Sequence, residues 1–490
     1  MRCFRLAAVA MAVCIPAASS LHADEAFRPR RGPSRGPQGV FRTDVPTHVA
    51  DVILCRPTAT SVTLSVLSYS DRNGYVAYGA RRGTLRFRTK TRSMKKDEPV
   101  AIVLDKLKAD TRYYYELRDA KSDEPILPKD VAGTFHTRRS SGSAFTFTVQ
   151  ADSHLDEATS PDLYRRTLGN VVADVPDFHI DLGDTFMTDK HATRDSAARQ
   201  YLAQRYYLGL VGRSAPVFLV LGNHDGEEAK LLRGGADSLA VWSNRMRKRY
   251  FPNPVPDGFY TGNKKREPFV GLLQDYYAWQ WGDALLVVLD PFWFTPRRRR
   301  GEDNWTHTLG TEQYHWLKKT LEDSKASLKF VFIHHLVGGL DDQCRGGAEA
   351  ARLYEWGGRN ADETDGFRKH RPRWDSPIHP LLLKHGVSAV FHGHDHFFSH
   401  QELDGIAYVL VPQPGHRSRR ERSMTGEYGY VSGKSLSGAG HIRVKVSRTS
   451  ATMEYVRALL PADERGARRN GQVVYRCVLG KGEGARRDAR

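Results

Sequence analysis

Between residues 145 and 396, apolar stretches with strand character repeatedly run into clusters of aspartate, asparagine and histidine. Asp152-Ser153-His154 follows the stretch 145–149, and Gly183-Asp184 follows 178–182. Gly222-Asn223-His224-Asp225 follows 216–221, His334-His335 follows 330–333, and Gly393-His394-Asp395-His396 follows 388–391. A further apolar stretch covers 284–289, and segments with helical spacing cover 161–175, 196–210 and 310–322. Strands alternating with amphipathic helices predict an α/β domain. In open sheets of this kind ligands gather beyond the carboxyl ends of the strands, which is where all five clusters fall. After residue 400 the pattern predicts strands only, at 407–411, 441–446 and 452–455. Mixed strands covered by helices and closed by a strand run predict two packed sheets with outer helices, a four-layer αββα sandwich over 145–460.

The chain ahead of this domain reads differently. Val62, Leu64 and Val66 alternate with Thr63 and Ser65, and Tyr113, Tyr115 and Leu117 alternate with Tyr114, Glu116 and Arg118. Alternation of period two, with turn residues such as Asp71-Arg72-Asn73-Gly74 between, predicts an antiparallel β-sandwich over 45–138. The polar run from Arg138 to Ser143 predicts a link between the two domains. Residues 24–44, rich in Arg, Pro and Gly, predict a disordered linker. Arg2 and Arg5, an apolar run from Leu6 to Ile15 and small residues up to Ala23 predict a cleaved signal peptide, 1–23, and so a secreted or periplasmic protein. No later stretch is long and apolar enough to predict a membrane span. Residues 461–490 predict a final strand and a basic tail. Cys3 and Cys14 leave with the signal, so Cys55, Cys344 and Cys477 allow at most one internal disulfide. Cys55 with Cys477 is a candidate pair, since both lie in strand-like segments.

Each motif alone has a bland reading. Gly-Asp is common turn chemistry, Asn-His-Asp can cap a helix, and paired histidines can be hydrogen-bonded core residues. Gly-His-x-His is the most specific piece, because alternate strand-like positions aim two imidazoles at one centre. It is the ordered set that decides. Asp-x-His, Gly-Asp, Gly-Asn-His-Asp, a later His and Gly-His-x-His, in that order, resembles the calcineurin-like metallophosphoesterases over about residues 145 to 460. The resemblance implies two divalent metal ions, Mn, Fe or Zn, in a phosphoric ester hydrolase. It implies that Asp152, His154, Asp184 and His396 bind the first ion. Asp184 then bridges to the second, which also takes Asn223, His394 and one of the paired histidines, His334 preferred over His335. His224 is the expected catalytic side chain, on a phosphoryl oxygen or the leaving group, with Asp225 orienting it. A bridging carboxylate holds two ions roughly 3.5–4 Å apart, which clamps the attacking and leaving oxygens and makes a bound water a nucleophile. Imidazole and carboxylate without thiolate suit those metals.

The stretch Leu107-Lys108-Ala109-Asp110-Thr111-Arg112-Tyr113-Tyr114-Tyr115 resembles a late strand of a fibronectin type III-like domain, and the purple acid phosphatases carry a similar domain before their catalytic one. Two departures separate this chain from them. Met187 stands where they have a metal-binding tyrosine, and Asp152-Ser153-His154 stands where they have Asp-x-Gly. No ferric tyrosinate is expected.

A formal net charge of +18, from 74 Lys and Arg against 56 Asp and Glu, drops to +16 without Arg2 and Arg5. It favours anionic partners, first among them a phosphate-ester substrate, monoester or diester. A basic nuclease or nucleotide phosphodiesterase is the variant reading, but no motif for specific nucleic-acid recognition accompanies the charge. A non-catalytic surface protein that binds through its sandwich domain is the alternative of another class. Arg297 to Arg300 reads first as a solvated loop and only second as a run that steers an anionic substrate. The insert 226–282, with Trp242, Tyr250, Phe259 and Tyr260, is a candidate pocket wall or, equally, a loop packed onto the domain. His179, His379, His385, His392 and His400 read as structural or surface residues.

Overall fold

Local signals place the helices. Ser160 caps the helix Pro161–Ala173 by accepting from the Leu163 amide, and Pro161 occupies the first turn, where a missing N–H costs nothing. Thr193 and Ser196 form a reciprocal capping box at the start of Arg194–Gly212. The computed structural model describes residues 39–128, 133–296, 304–339, 345–417 and 421–480. The expected signal peptide, the Arg297–Arg300 run and Cys344 lie outside the described residues.

Two mixed sheets form the body. In the first, the order is Val217–Leu219, Phe178–Asp181, Phe145–Gln150, Gly440–Val446, Ala451–Arg457 and Val473–Leu479. The first three strands run parallel; Phe145–Gln150 then pairs antiparallel with Gly440–Val446, with Val149 opposite Ile442. The second sheet has eight strands, and Ala284–Val288, Leu328–Phe332, Ala389–His392 and Ile406–Leu410 form its parallel centre.

The inner faces of the two sheets meet in an aromatic core. Phe147 stacks on Phe178 at 5.4 Å, Phe218 on Trp279 at 4.2 Å, and Phe332 on Phe391 at 5.3 Å. The outer faces carry helices. Pro161–Ala173 and Arg194–Gly212 lie on the first sheet and pack on each other through Tyr164, Leu168, Tyr207 and Val211. Tyr314, Leu317 and Leu321 of Thr311–Asp323, with Ile378 and Leu381, cover the second. This is the expected four-layer αββα arrangement, with the parallel strands of both sheets delivering their carboxyl ends to one edge.

Ahead of it, residues 50–136 form a three-stranded and a five-stranded antiparallel sheet around Leu54, Leu64, Val66, Val76, Tyr115, Leu117 and Phe135. Arg205 fastens this β-sandwich to the body. Its guanidinium is fully buried and donates to the Ser65 hydroxyl (3.0 Å) and to the carbonyls of Ser65 (2.9 Å), Asp51 (3.2 Å) and Tyr250 (2.7 Å). Tyr115 adds a hydroxyl bond to the Arg213 carbonyl at 2.8 Å.

Several details differ from the sequence reading. A helix, Glu421–Tyr428, interrupts the expected run of C-terminal strands. Most of its side chains from Thr425 on are exposed or half-buried, so it leaves no apolar period to read. Residues 39–44, assigned to a disordered linker, lie on the body: Phe41 stacks on the His191 ring at 3.9 Å and bridges to Asp156. The 226–282 insert folds into a helix, Leu239–Tyr250, and supplies Tyr277–Trp281 to the second sheet. Cys55 and Cys477 are both free thiols, so the candidate disulfide between them is absent.

Candidate metal centre

Each cluster sits where its strand ends. Asp152 and His154 follow Phe145–Gln150, Asp184 follows Phe178–Asp181, and Asn223 follows Val217–Leu219. His334 follows Leu328–Phe332, and His394 and His396 follow Ala389–His392. The chain must turn sharply there to aim side chains inward. Asp152, His154, Asp184, His394 and His396 all adopt left-handed backbone, with φ of 57°, 46°, 53°, 78° and 66°. For residues with a Cβ this costs on the order of 1 kcal/mol or more each, and such strain concentrates at functional sites.

The motif glycines serve close approach. A Cβ on Gly222 would lie 2.1 Å from the Asp184 amide nitrogen and 2.3 Å from Asp184 Oδ1. One on Gly393 would lie 2.8 Å from Asp152 Oδ2 and 3.0 Å from the Ala151 Cβ.

The side chains converge as two groups, Asp152 with His154 and His396, and Asp184 with His334 and His394. Within each, the ligand atoms lie within 4.8 Å of one another. The groups abut: His154 Nε2 is 3.6 Å from both Asp152 Oδ1 and Asp184 Oδ2, and His334 Nε2 is 3.4 Å from Asp184 Oδ2. Asn223 Oδ1 joins the second group, 3.1 Å from His334 Nε2. The outer atoms are held in place. Asp152 Oδ2 accepts from the His394 amide (2.9 Å), and Asp184 Oδ1 accepts from the His224 amide (2.8 Å). His334 Nδ1 lies 2.8 Å from the Leu182 carbonyl, and His154 Nδ1 lies 3.3 Å from Asp156 Oδ2. Second partners of this kind fix which imidazole nitrogen faces a metal.

The centre fits cations. Asp152 Oδ1 and His154 Nε2 are buried and have no hydrogen-bond partner, a costly state unless something else pairs with them. Burial opposes the charge on Asp184, yet His334, His224 and His154 outweigh it and hold the carboxyl well below the usual range. Burial likewise opposes the charge on Asp152, but the surrounding imidazoles pull it down. In return, and again against burial, Asp184 and Asp152 push His334 up to about 9, and Asp152, Asp156 and Asp184 raise His154 well above an ordinary histidine. Burial, with the neighbouring histidines, pushes His394 well down, and burial brings His396 to about 4 despite Asp152. The site thus favours the neutral form of His394 and His396, which suits metal binding, and the protonated form of His334 and His154, whose protons divalent cations would displace.

Not every expected residue takes its expected part. Asp225 does not touch the His224 ring. Its carboxylate is buried and accepts from four backbone amides: Gly222 (2.7 Å), Asp184 (3.1 Å), Thr185 (2.8 Å) and Phe186 (2.9 Å). It therefore shapes the loop that carries Asp184. The His224 ring is held by Asp189 instead, with Nδ1 at 3.0 Å from Oδ1. Burial works against protonation of His224, but Asp184 and Asp189 prevail and raise its pKa. Asp189 and Asp156 belong to no motif; Asp156 is the easier to suspect, two residues past His154.

His335 stands outside both groups, its ring 4.4 Å from that of His394. It lines a cavity of about 240 Å³ with Asn223, Glu228, Lys230, Phe292 and His394. His392 is buried beside the centre, and its Nε2 is unpartnered.

The family model of the calcineurin-like phosphoesterases matches residues 145–398, just over half of the 490. The chain belongs to this family. The phosphoesterase is accordingly a metal-dependent phosphoric ester hydrolase. No curated protein matches it in sequence. Its fold is shared with a structure of PhoD at 14% identity and TM-score 0.61, covering 88% of each chain. It is shared too with the purple acid phosphatase PPD1 from yellow lupin (Lupinus luteus) seeds. There the identity is 15% and the TM-score 0.57, over 88% of this chain and 74% of that one. Among the described residues no helix of the phosphoesterase is long and apolar enough to cross a membrane.

Proposed function

We propose that the protein is an exported phosphohydrolase that binds two divalent cations, Mn, Fe or Zn, and cleaves a phosphate monoester or diester. Asp152, His154 and His396 would hold one cation, Asn223, His334 and His394 the other, with Asp184 shared between them. The observation that carries this reading is the pair of abutting Asp/His groups, the first with two buried ligand atoms, Asp152 Oδ1 and His154 Nε2, that no hydrogen bond satisfies. When bound, the cations supply Lewis acidity toward phosphoryl oxygens and acidify a water.

The chain's own residues do the rest. With the imidazoles neutral, the ionised carboxylates of Asp152 and Asp184 offset only half the charge of two divalent cations, which would leave the site positive toward an anionic phosphoryl group. Asp189 fixes His224 through Nδ1 and favours its protonated form, so that Nε2 presents a proton to a phosphoryl or leaving-group oxygen. Asp225 keeps the loop around Asp184 in its strained conformation. Lys230, paired with Glu228 at 2.7 Å beside the cavity, adds a cation on the path of an anionic substrate.

Export rests on Arg2, Arg5, the 6–15 apolar run and the small residues up to Ala23; N-terminal sequencing of the protein recovered outside the cytoplasm should start just past that point. The function is tested by hydrolysis of p-nitrophenyl phosphate and bis-p-nitrophenyl phosphate with added Mn, Zn or Fe. Metal-dependent turnover that disappears in Asp184→Asn supports the reading, and the ratio of the two rates assigns the ester class. Turnover that survives both chelation and Asp184→Asn overturns it.

A further inference from the structure

Apart from the catalytic cavity, a second concave site lies where the connection after Ile406–Leu410 meets the end of the first sheet. It encloses about 500 Å³ and is lined by Arg417, Ser437, Arg457, Asp463, Arg465 and Arg468, among others. That volume is in the range of sites for small molecules. Four arginines and one carboxylate are thus among its lining residues. Arg417 takes that carboxylate, Asp463, at 3.4 Å. Arg457, Arg465 and Arg468 form no ion pair and no side-chain hydrogen bond among the described residues.

These three are not arginines on a frayed loop. Arg457 is the last residue of Ala451–Arg457, paired in the ladder with Gly440, and its side chain is half-buried with Nε sealed from solvent and unsatisfied. Arg465 and Arg468 sit across a tight turn closed by reciprocal amide–carbonyl bonds of 3.1 and 2.9 Å. Burial, with Arg468 nearby, makes the charge on Arg457 harder to keep. Converging like charges at fixed positions destabilise the folded chain unless an anion arrives to offset them. Guanidiniums are the donors that match tetrahedral oxyanions, two N–H groups at a time.

We propose that this cavity is an oxyanion subsite that takes a phosphoryl group separate from the one at the metal centre. The group is either inorganic phosphate or a second phosphoryl group on the substrate. The cavity adjoins the centre through the segment between them: Gln413 donates to the Asp152 carbonyl at 3.0 Å, and His416 bridges to Thr159. A ligand here is therefore placed to sense or extend the reaction.

The test is equilibrium dialysis of radiolabelled inorganic phosphate against the metal-loaded full chain. Wild type should bind two equivalents. Arg468→Gln, on the exposed turn where the fold is not at stake, should weaken one of them about tenfold or more and leave the other. Arg457→Gln should do the same, and Arg86→Gln, remote on the sandwich, should change neither. One equivalent in wild type, or two undiminished in Arg468→Gln, overturns the proposal.

Asp184→Asn should lose only the other equivalent. If that variant keeps full turnover while Arg468→Gln still loses its phosphate, the metal-centre reading fails and the subsite stands. Kinetics separate the sources. A bisphosphorylated substrate with a tenfold lower KM than its monophosphorylated counterpart, an advantage lost in Arg468→Gln, assigns the subsite to substrate. Equal KM values assign it to free phosphate.

Discussion

Replacing Asp189 by asparagine isolates a contact that no motif contains. The side chain keeps its size and still accepts one hydrogen bond, so the fold and the metal ligands are untouched; what goes is the charge that favours protonated His224. The pair is partly exposed, His224 at 23% and Asp189 at 19%, so the lower part of the range for a charge-assisted hydrogen bond applies, about 1.5–2 kcal/mol. If His224 must carry its proton in the transition state, the loss is about ten- to thirtyfold in kcat.

The sign with pH follows from the raised pKa of His224. Protonation is favoured in the intact protein, so activity persists to higher pH and declines as pH rises through that value. Asp189→Asn should move this decline to lower pH, and the defect should widen toward alkaline pH. The assay is a pH–rate profile on two aryl phosphates. The slower leaving group should suffer more, because it has greater need of the proton. A profile that superimposes on wild type at every pH, with both leaving groups, refutes the role given to His224 and Asp189.

Gly222→Ala forces a methyl group into Asp184, 2.1 Å from its amide nitrogen, and should abolish turnover and lower the bound metal below two per chain, measured by elemental analysis. Metal affinity should rise with pH until His334 loses its proton near 9, because cations displace protons from that imidazole. Titration calorimetry in buffers of different ionisation enthalpy should show the released protons; affinity that levels off near an ordinary histidine value of about 6.5 contradicts this. Arg205→Met strands the carbonyls that the guanidinium serves and should cost about 3 kcal/mol or more in denaturant unfolding, while kcat of the protein that remains folded stays near wild type.

Much of the body is legible in the sequence because its information is local. Phe147, Phe178 and Phe218 mark buried strands, Ser160 and Thr193 mark helix starts, and the ligands stand immediately after strand ends. The seven expected metal-site residues meet because the parallel strands deliver them to one edge. Asp189 is invisible for the opposite reason: it is held near His224 by the fold, and nothing in Asp184-Thr185-Phe186-Met187-Thr188-Asp189 announces it. Asp225 is misread because a carboxylate beside a histidine suggests a dyad, whereas here the loop's amides have the stronger claim on it. The Glu421–Tyr428 helix lacks an apolar stripe, and the arginine cavity draws its charged residues from 417 to 468, whose meeting depends on the C-terminal strands.

The pairing of Val149 with Ile442 has a consequence for how the protein is made. The strand that leads into Asp152 has one parallel neighbour close by in sequence, Phe178–Asp181, and its other neighbour comes only at Gly440–Val446. A nascent chain that has emerged only as far as Gly393-His394-Asp395-His396 already holds every ligand, yet the edge of Phe145–Gln150 is still open and the sheet that aims Asp152 is incomplete. Contacts this distant close late and slowly. The metal centre is thus completed only once Gly440–Val446 has been made and has docked on Phe145–Gln150, well after its last ligand has emerged.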